Sequence, residues 1–455
     1  MTVTLAFGLF VQALAVTALR YCLGPHWLRH PVALLILVSV VYQGVAPLLL
    51  IIPSVATWDI YRTGVQQGYT DSGTLLMSAG MLALTAAYLL TRPERAGNPP
   101  GEDDAAFAAR VLDWRLLTLA CIPLAVLTYE GRGYNGLAET GGGAATSTEL
   151  ASTFFTLLVV LAAFGLVLRH GSGWFLPTLI AQSALLAAAG ERLPVIVDAI
   201  ALVVLLARVG MRPSTRQLNG GLGLTLLGVL AITGVRAEQG RSLYYQDSGF
   251  GARLTALGNG LLAGTSPGSS AKPGLVAQAV VRLDGTSFAG AILQAQATGQ
   301  PRLSASYVPK SLLLAVPSAA WPSKLAHGNA LNPALLAIDN FGLQRVNFLP
   351  GLPGLYTGFL SPAWLIIFLA SLGLVAGWAE RWLLRSCSPA RLVLLAGAVT
   401  AALWFEKGLP GMAVFLRTAL VLAAAVKIIE VARRPKRSQH TVPVCVPVVS
   451  TSRLR

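Results

Sequence analysis

The stretch ASTFFTLLVVLAAFGLVL (151–168), followed at once by Arg169 and His170, decides the fold. It carries no charged side chain from end to end. A bilayer-spanning helix needs about 20 largely apolar residues, with a range of about 17–25. A soluble core helix has no use for such a run, and a basic pair at its end is the mark of a cytoplasmic exit. Working outward, ten further runs read the same way: 2–19, 32–52, 72–91, 115–129, 174–190, 193–208, 219–235, 361–379, 391–405 and 410–431. The expectation is an all-α polytopic membrane protein with about eleven transmembrane helices.

Composition agrees. Only 12% of the 455 residues are charged and 54% are hydrophobic, where a soluble domain carries about 25% charged residues. Mean hydropathy is +0.64 and the pI is near 10.1. That basicity does not call for nucleic acid, because many of the basic residues sit in short loops between apolar runs, where membrane topology accounts for them. Cys22, Cys121, Cys387 and Cys445 form no CxxC pair and flank no histidine at ligand spacing, so free thiols are expected.

The charges between runs set a direction. Arg20 and Arg29 follow the first run, and Arg92, Arg95, Arg110 and Arg115 the third. Arg169 and His170 follow the fifth, Arg208, Arg212 and Arg216 the seventh, and Arg381, Arg385 and Arg391 the ninth. Arg433, Arg434, Lys436 and Arg437 follow the eleventh. The short even-numbered exits are neutral or mildly acidic: Asp59 and Asp71 with Arg62, then Glu130, Glu139 and Glu149 with Arg132, then Glu191 with Arg192 and Glu406 with Lys407. This positive-inside alternation places the N-terminus outside and the C-terminus in the cytoplasm. The first run lacks a basic segment before it, so it reads as a first spanning helix rather than a signal peptide.

The chain divides into 1–235 (helices one to eight), a large outer loop 236–360, 361–432 (helices nine to eleven) and a basic tail 433–455, expected to be disordered near anionic lipid. The 92–113 segment, with its Pro, Gly and acidic GEDD stretch, reads as a solvated cytoplasmic linker. No internal repeat stands out. The long outer loop calls for a function. Residues 274–296 and 307–321 have patterns of helices lying in or on the membrane interface. A small lid packed on the bundle and an interfacial substrate cradle both remain open.

The outer loop holds nine basic residues against four acidic ones, a net of +5, with six Arg to three Lys. The planar Arg fork suits phosphate oxygens, so this loop points to an anionic lipid or a lipid-linked diphosphate. In GERLPVIVDA (190–199), Glu191 and Arg192 sit at an outer junction and Asp198 lies inside the seventh run. Glu191 and Asp198 are spaced to share a helix face if the helix begins by residue 191. Arg417 is a second intramembrane charge, and such groups default to functional readings. His327, in WPSKLAHGN after Lys324, is a candidate general base. No GxSxG, HExxH, Walker A loop or Asp-rich metal cluster is present, so neither a metal nor another cofactor is expected.

Three features together resemble the bacterial O-antigen polymerases, or oligosaccharide repeat-unit polymerases. They are Gly190-Glu191-Arg192 at the outer start of a mid-chain span, VPSAAWPSK (316–324) in a large outer loop, and the Gly-rich lead from Pro350 through Gly373 into a span. Arg253 and Gly264 are similar to that family's Arg-x10-Gly loop pattern. The likeness covers roughly residues 185–380. The segment 354–358 lacks the Glu often found there in the family.

The resemblance implies a GT-C-like glycosyltransferase architecture in the bacterial plasma membrane. It implies metal-independent polymerisation of polyprenyl-diphosphate-linked oligosaccharides on the outer face. Arg192, Arg241, Arg253, Arg282, Lys324 and Arg417 are the expected diphosphate contacts, and His327 or Glu191 the expected base. Beyond that substrate and membrane lipids, it leaves room for a flippase and a chain-length regulator as partners. Alternatives stay open: an O-antigen ligase-like transferase, a transporter or flippase for a lipid-linked glycan, or a non-catalytic component of an envelope assembly machine.

Overall fold

A computed structural model describes residues 3–45, 69–91, 102–130, 145–188, 192–238, 285–317, 330–342, 351–404 and 408–433, with single positions between 252 and 259 and between 320 and 327. Among these residues every regular element is helical. In chain order the helices are α1 (Val3–Leu23), α2 (Pro31–Val40), α3 (Tyr69–Leu90), α4 (Glu102–Val111), α5 (Trp114–Glu130), α6 (Ala145–His170), α7 (Phe175–Ala188) and α8 (Arg192–Arg208). They continue with α9 (Thr215–Glu238), α10 (Gly285–Ala297), α11 (Tyr307–Ser311), α12 (Pro333–Asn340), α13 (Gly351–Tyr356), α14 (Pro362–Leu383), α15 (Pro389–Leu403) and α16 (Gly408–Arg433).

The protein is a multi-pass α-helical membrane protein. Five helices are long and apolar enough to cross a membrane: Val3–Leu23, Asp71–Leu90, Ala151–His170, Pro362–Leu383 and Gly408–Arg433. Shorter apolar helices cover Pro31–Gly44, Trp114–Thr128, Ser172–Ala187 and Pro389–Leu403. Local chemistry starts two helices in the same way. Ser361 and Ser388 each precede a Pro at the first helical position, and each side-chain oxygen accepts a backbone N–H three residues on, from Trp364 and Arg391. Both devices satisfy helix-end groups that would otherwise lack partners.

The pair α3 and α14 shows how the bundle closes. Buried Leu365, Leu369, Gly373, Gly377 and Glu380 line one side of α14. A Cβ on Gly373 would lie 2.4 Å from the Leu84 carbonyl oxygen, and one on Gly377 would lie 2.0 Å from Thr91 Oγ1. In lipid, helix association relies on such close backbone approach, and Gly373 and Gly377 form the small-xxx-small spacing that permits it. The opposite side of α14 exposes Trp364, Ile367, Val375, Trp378 and Trp382. Trp364 and Trp382 are about 27 Å apart along the axis at 1.5 Å per residue, close to the thickness of a hydrocarbon core whose two interfaces favour Trp.

The six basic exits meet at one end of the bundle. His30, after the first run, contacts Glu380 at the end of α14. Tyr88 at the end of α3 also reaches Glu380, and Arg381 donates to the Thr91 carbonyl. Arg208 at the end of α8 donates to the Leu384 carbonyl at 2.6 Å. Arg433 at the end of α16 donates to the Arg110 carbonyl at 2.5 Å. His170, ending α6, packs edge-on to Trp114, which begins α5.

Three expectations need correction. The 92–113 segment is not wholly a solvated linker, because 102–111 is α4, with Ala108, Val111 and the following Leu112 buried. The helix expected at 274–296 is described over Gly285–Ala297, and it packs into the protein where an amphipathic helix with one free face was expected. Every residue from Gly285 to Ile292 is buried. Its small side chains let it press on α3, where a Cβ on Gly73 would lie 2.1 Å from the Thr286 carbonyl oxygen. The helix expected at 307–321 ends early. After Ser311 it tightens to a 3-10 turn over Leu312–Ala315, and Val316 is extended, as a residue before Pro317 tends to be. Residues 274–284, the tail from 434 and Cys445 lie outside the described residues.

Candidate functional site

At the end of the bundle opposite the basic exits lie α10, α11 and α13, from the described parts of 236–360. There α10 sits against α3, and Thr286 Oγ1 donates to the Gln43 carbonyl at 3.1 Å. The backbone N–H of Leu303 donates to the Gly358 carbonyl at 2.9 Å. Ser311 and Tyr356 share a hydroxyl hydrogen bond at 3.0 Å, which ties α11 to α13. Burial pushes the Tyr356 phenol up to about 12, against the opposing hydrogen bonds to Ser311 and to the Leu409 backbone. A phenol held protonated through the neutral range is a clamp and not a base. The loop is thus packed on the bundle at several points.

Of the expected site residues, Glu191, Arg241, Arg253, Arg282 and Lys324 lie outside the described residues. The expectation that Glu191 and Asp198 share a helix face falls there too. Arg192 is the first residue of α8.

His327 is exposed and stacks on Trp321, with ring centroids 5.8 Å apart and planes at 28°. Its Nδ1 is 3.0 Å from the Ser323 carbonyl oxygen. A carbonyl only accepts, so this contact places the proton of a neutral imidazole on Nδ1. Nε2 then carries the lone pair that can take a proton. Arg417 stands half-buried in α16 and donates to the Ala315 carbonyl, pinning the 3-10 turn to that helix. No described contact joins His327 to Arg417.

Two polar features lie deeper. Asp198 is fully buried in α8, with Gln182 of α7 as its polar neighbour. It stands six residues, or about 9 Å, along α8 from Arg192.

The second feature escaped the sequence reading. Residues Val41–Val45 form a π-helical turn after α2. The Gln43 carbonyl accepts from Gln12 Nε2 at 3.4 Å as well as from Thr286. Gln12 Nε2 also donates to Ser78 Oγ at 3.2 Å, and Ser78 donates to the Gly8 carbonyl. This buried network joins α1, the π-helical turn, α3 and α10. The available signal was Gln12 and Gln43, two amides inside otherwise apolar runs, where a polar group demands a partner. Single-turn π segments of this kind occur frequently at functional sites.

Among the described residues no group of three His, Cys, Asp or Glu is arranged to hold a metal ion. No known family, curated protein or solved structure matches the chain.

Proposed function

We propose that this chain is a glycosyltransferase of the bacterial plasma membrane that polymerises polyprenyl-diphosphate-linked oligosaccharide repeat units on the outer face. The reading takes all eleven helical segments as spans and places the gathered basic exits in the cytoplasm. The observation that carries it is the outer loop with its net charge of +5. Its seating on the bundle at Gly73, Gln43 and Arg417 supports the same reading.

In the proposed reaction the acceptor sugar hydroxyl attacks the anomeric carbon of the growing chain. The new glycosidic C–O bond forms, the C–O bond to diphosphate breaks with its electron pair, and the hydroxyl proton passes to His327 Nε2 or to Glu191. Arg192, Arg241, Arg253, Arg282 and Lys324 meet the charge that develops on the departing diphosphate. Preorganised cations in a site shielded from water stabilise such charge without a metal. Arg417, engaged with Ala315, is assigned to positioning the loop.

A lipid-linked glycan transporter is the second reading. Buried Asp198 and the π-helical turn at Gln43 favour it, since transporters place polar groups and interrupted helices inside the membrane.

Deleting the gene and sizing the surface glycan separates the two. Loss of long chains with single repeat units retained is the result expected for the polymerase. Lipid-linked units accumulating on the inner leaflet would replace it with the transporter. Arg192→Ala and Arg253→Ala are each expected to slow chain extension about 10²–10³-fold, the cost of losing one transition-state charge contact. Normal chain lengths from both variants, at wild-type membrane abundance, would remove the diphosphate cradle.

A further inference from the structure

At the end opposite the proposed reaction, the 3-10 turn before α2 packs against α8, and arginines from these two parts of the chain lie at the same end of the bundle. Arg29 closes the 3-10 turn Gly24–Arg29 and is half-buried. Arg208 ends α8 and is only 8% exposed, while Arg212 is exposed just beyond it. The turn that Arg29 closes packs against α8, and the pKa of Arg29 is lowered, first by burial and then by the charges of Arg212 and Arg208.

Nothing described neutralises them. The ion pairs among the described residues are His30–Glu380 and Lys427–Glu430. Glu380, the acid one turn before Leu384, is already engaged by His30, Tyr88 and the Val32 N–H. Arg208 has a single described hydrogen bond, from Nη2 to the Leu384 carbonyl. That bond orients the guanidinium and leaves most of its five donors without a protein acceptor. Like charges held together and partly out of water are costly unless an anion joins them. Three planar forks suit the tetrahedral oxygens of a phosphate, and the basic exits lie at the level of the lipid headgroups.

We propose that Arg29, Arg208 and Arg212 form a binding site for a phosphate-bearing anion between the ends of α1 and α8, on the face away from the large loop. The chemistry is that of a phosphodiester or phosphate oxyanion, and its source is an anionic phospholipid or free phosphate. The site bridges two exits that their own repulsion would drive apart, so its occupant also holds α8 to the start of α2.

The test uses the full chain in nanodiscs containing phosphatidylglycerol and phosphatidylcholine, with the lipid retained after delipidation counted by native mass spectrometry. Arg29→Gln with Arg212→Gln spares the Arg208–Leu384 bond. It is expected to reduce retained phosphatidylglycerol about tenfold, on the order of one charge-assisted contact. Arg216→Gln, an exposed arginine outside the trio, is the control and is expected to change nothing. Circular dichroism confirms that each variant remains folded. Inorganic phosphate is then added to the wild type. Displacement of the lipid together with a raised unfolding midpoint assigns the site to free phosphate, and unchanged lipid retention assigns it to the phospholipid. Equal retention in the double variant and the wild type overturns the proposal. An equal loss in Arg216→Gln does so too, since it would mean a diffuse basic surface without a built site.

Discussion

Glu380→Ala is expected to destabilise the bundle by about 3–5 kcal/mol, because its carboxylate is the shared partner of several buried polar groups. Glu380 is 2% exposed, and its partners His30 and Tyr88 are 3% and 0% exposed. One carboxylate oxygen accepts from Tyr88 OH at 2.8 Å and contacts His30 Nδ1, and the other accepts from the Val32 N–H at 3.1 Å. Removing the acceptor strands the Val32 N–H and leaves Tyr88 OH and His30 Nδ1 only each other, at 3.4 Å, and each buried group left unsatisfied costs about 1–3 kcal/mol. The three groups belong to the start of α2 and to α3, so the loss unties both from α14. Glu380→Gln keeps the shape and part of the hydrogen bonding, and its loss is expected to be smaller. Thermal unfolding of the purified protein in detergent measures both. A Glu380→Ala midpoint equal to that of the wild type would show that the cluster contributes nothing.

Gly373→Leu is expected to be the second large effect, because its obstacle is backbone. The added Cβ would meet the Leu84 carbonyl oxygen at 2.4 Å and the Ala87 Cβ at 3.2 Å. No rotamer change relieves a clash with a carbonyl in the middle of α3, so the helices must separate. Overpacking of this kind costs about 1–3 kcal/mol, and here it acts on the interface that closes the bundle. Gly377→Ala is the instructive comparison. Its nearest neighbour is Thr91 Oγ1, a side-chain atom at the end of α3 that can rotate away, at the cost of its hydrogen bond to the Tyr88 carbonyl. Gly373→Leu should therefore lower folded yield and unfolding midpoint more than Gly377→Ala. The reverse order would mean that α3 and α14 do not meet along this seam.

Much of the architecture was legible because membrane insertion is a local matter. Transfer of each side chain into hydrocarbon has its own free energy, and a run of about twenty such terms settles whether a segment inserts. Each of the eleven expected segments contains a helix among its described residues, and the six basic exits gather at one end. Capping was equally local: Ser361-Pro362 and Ser388-Pro389 announce their helices within four residues. The loop was harder. Apolar residues in 274–296 carry a pattern that fits an interface or a core equally well. What decides between them is whether a neighbour offers a surface without side chains, and Gly73 on α3 offers one.

For the candidate site the sequence supplies an expectation of kind and little of place. Its basic character could be counted along the chain, and so could the intramembrane charges Asp198 and Arg417. The Ala315 partner of Arg417 is 102 residues away in sequence, and nothing local distinguishes that carbonyl from any other. Gln12 and Gln43 are single amides in apolar runs, and their meaning emerges only when Thr286 arrives from the loop.

The sequence by itself therefore determined the membrane class, the helical segments and which of their ends carry the basic residues. Each of these follows from short-range patterns of hydropathy and charge that hold whatever the packing. Tertiary structure alone decided the partners: Glu380 with His30 across 350 residues, Arg208 with the Leu384 carbonyl, and α10 buried against α3. Partner choice turns on where two backbones can approach and which buried polar groups must then be satisfied. That is a property of pairs of helices, and no single stretch of chain contains it.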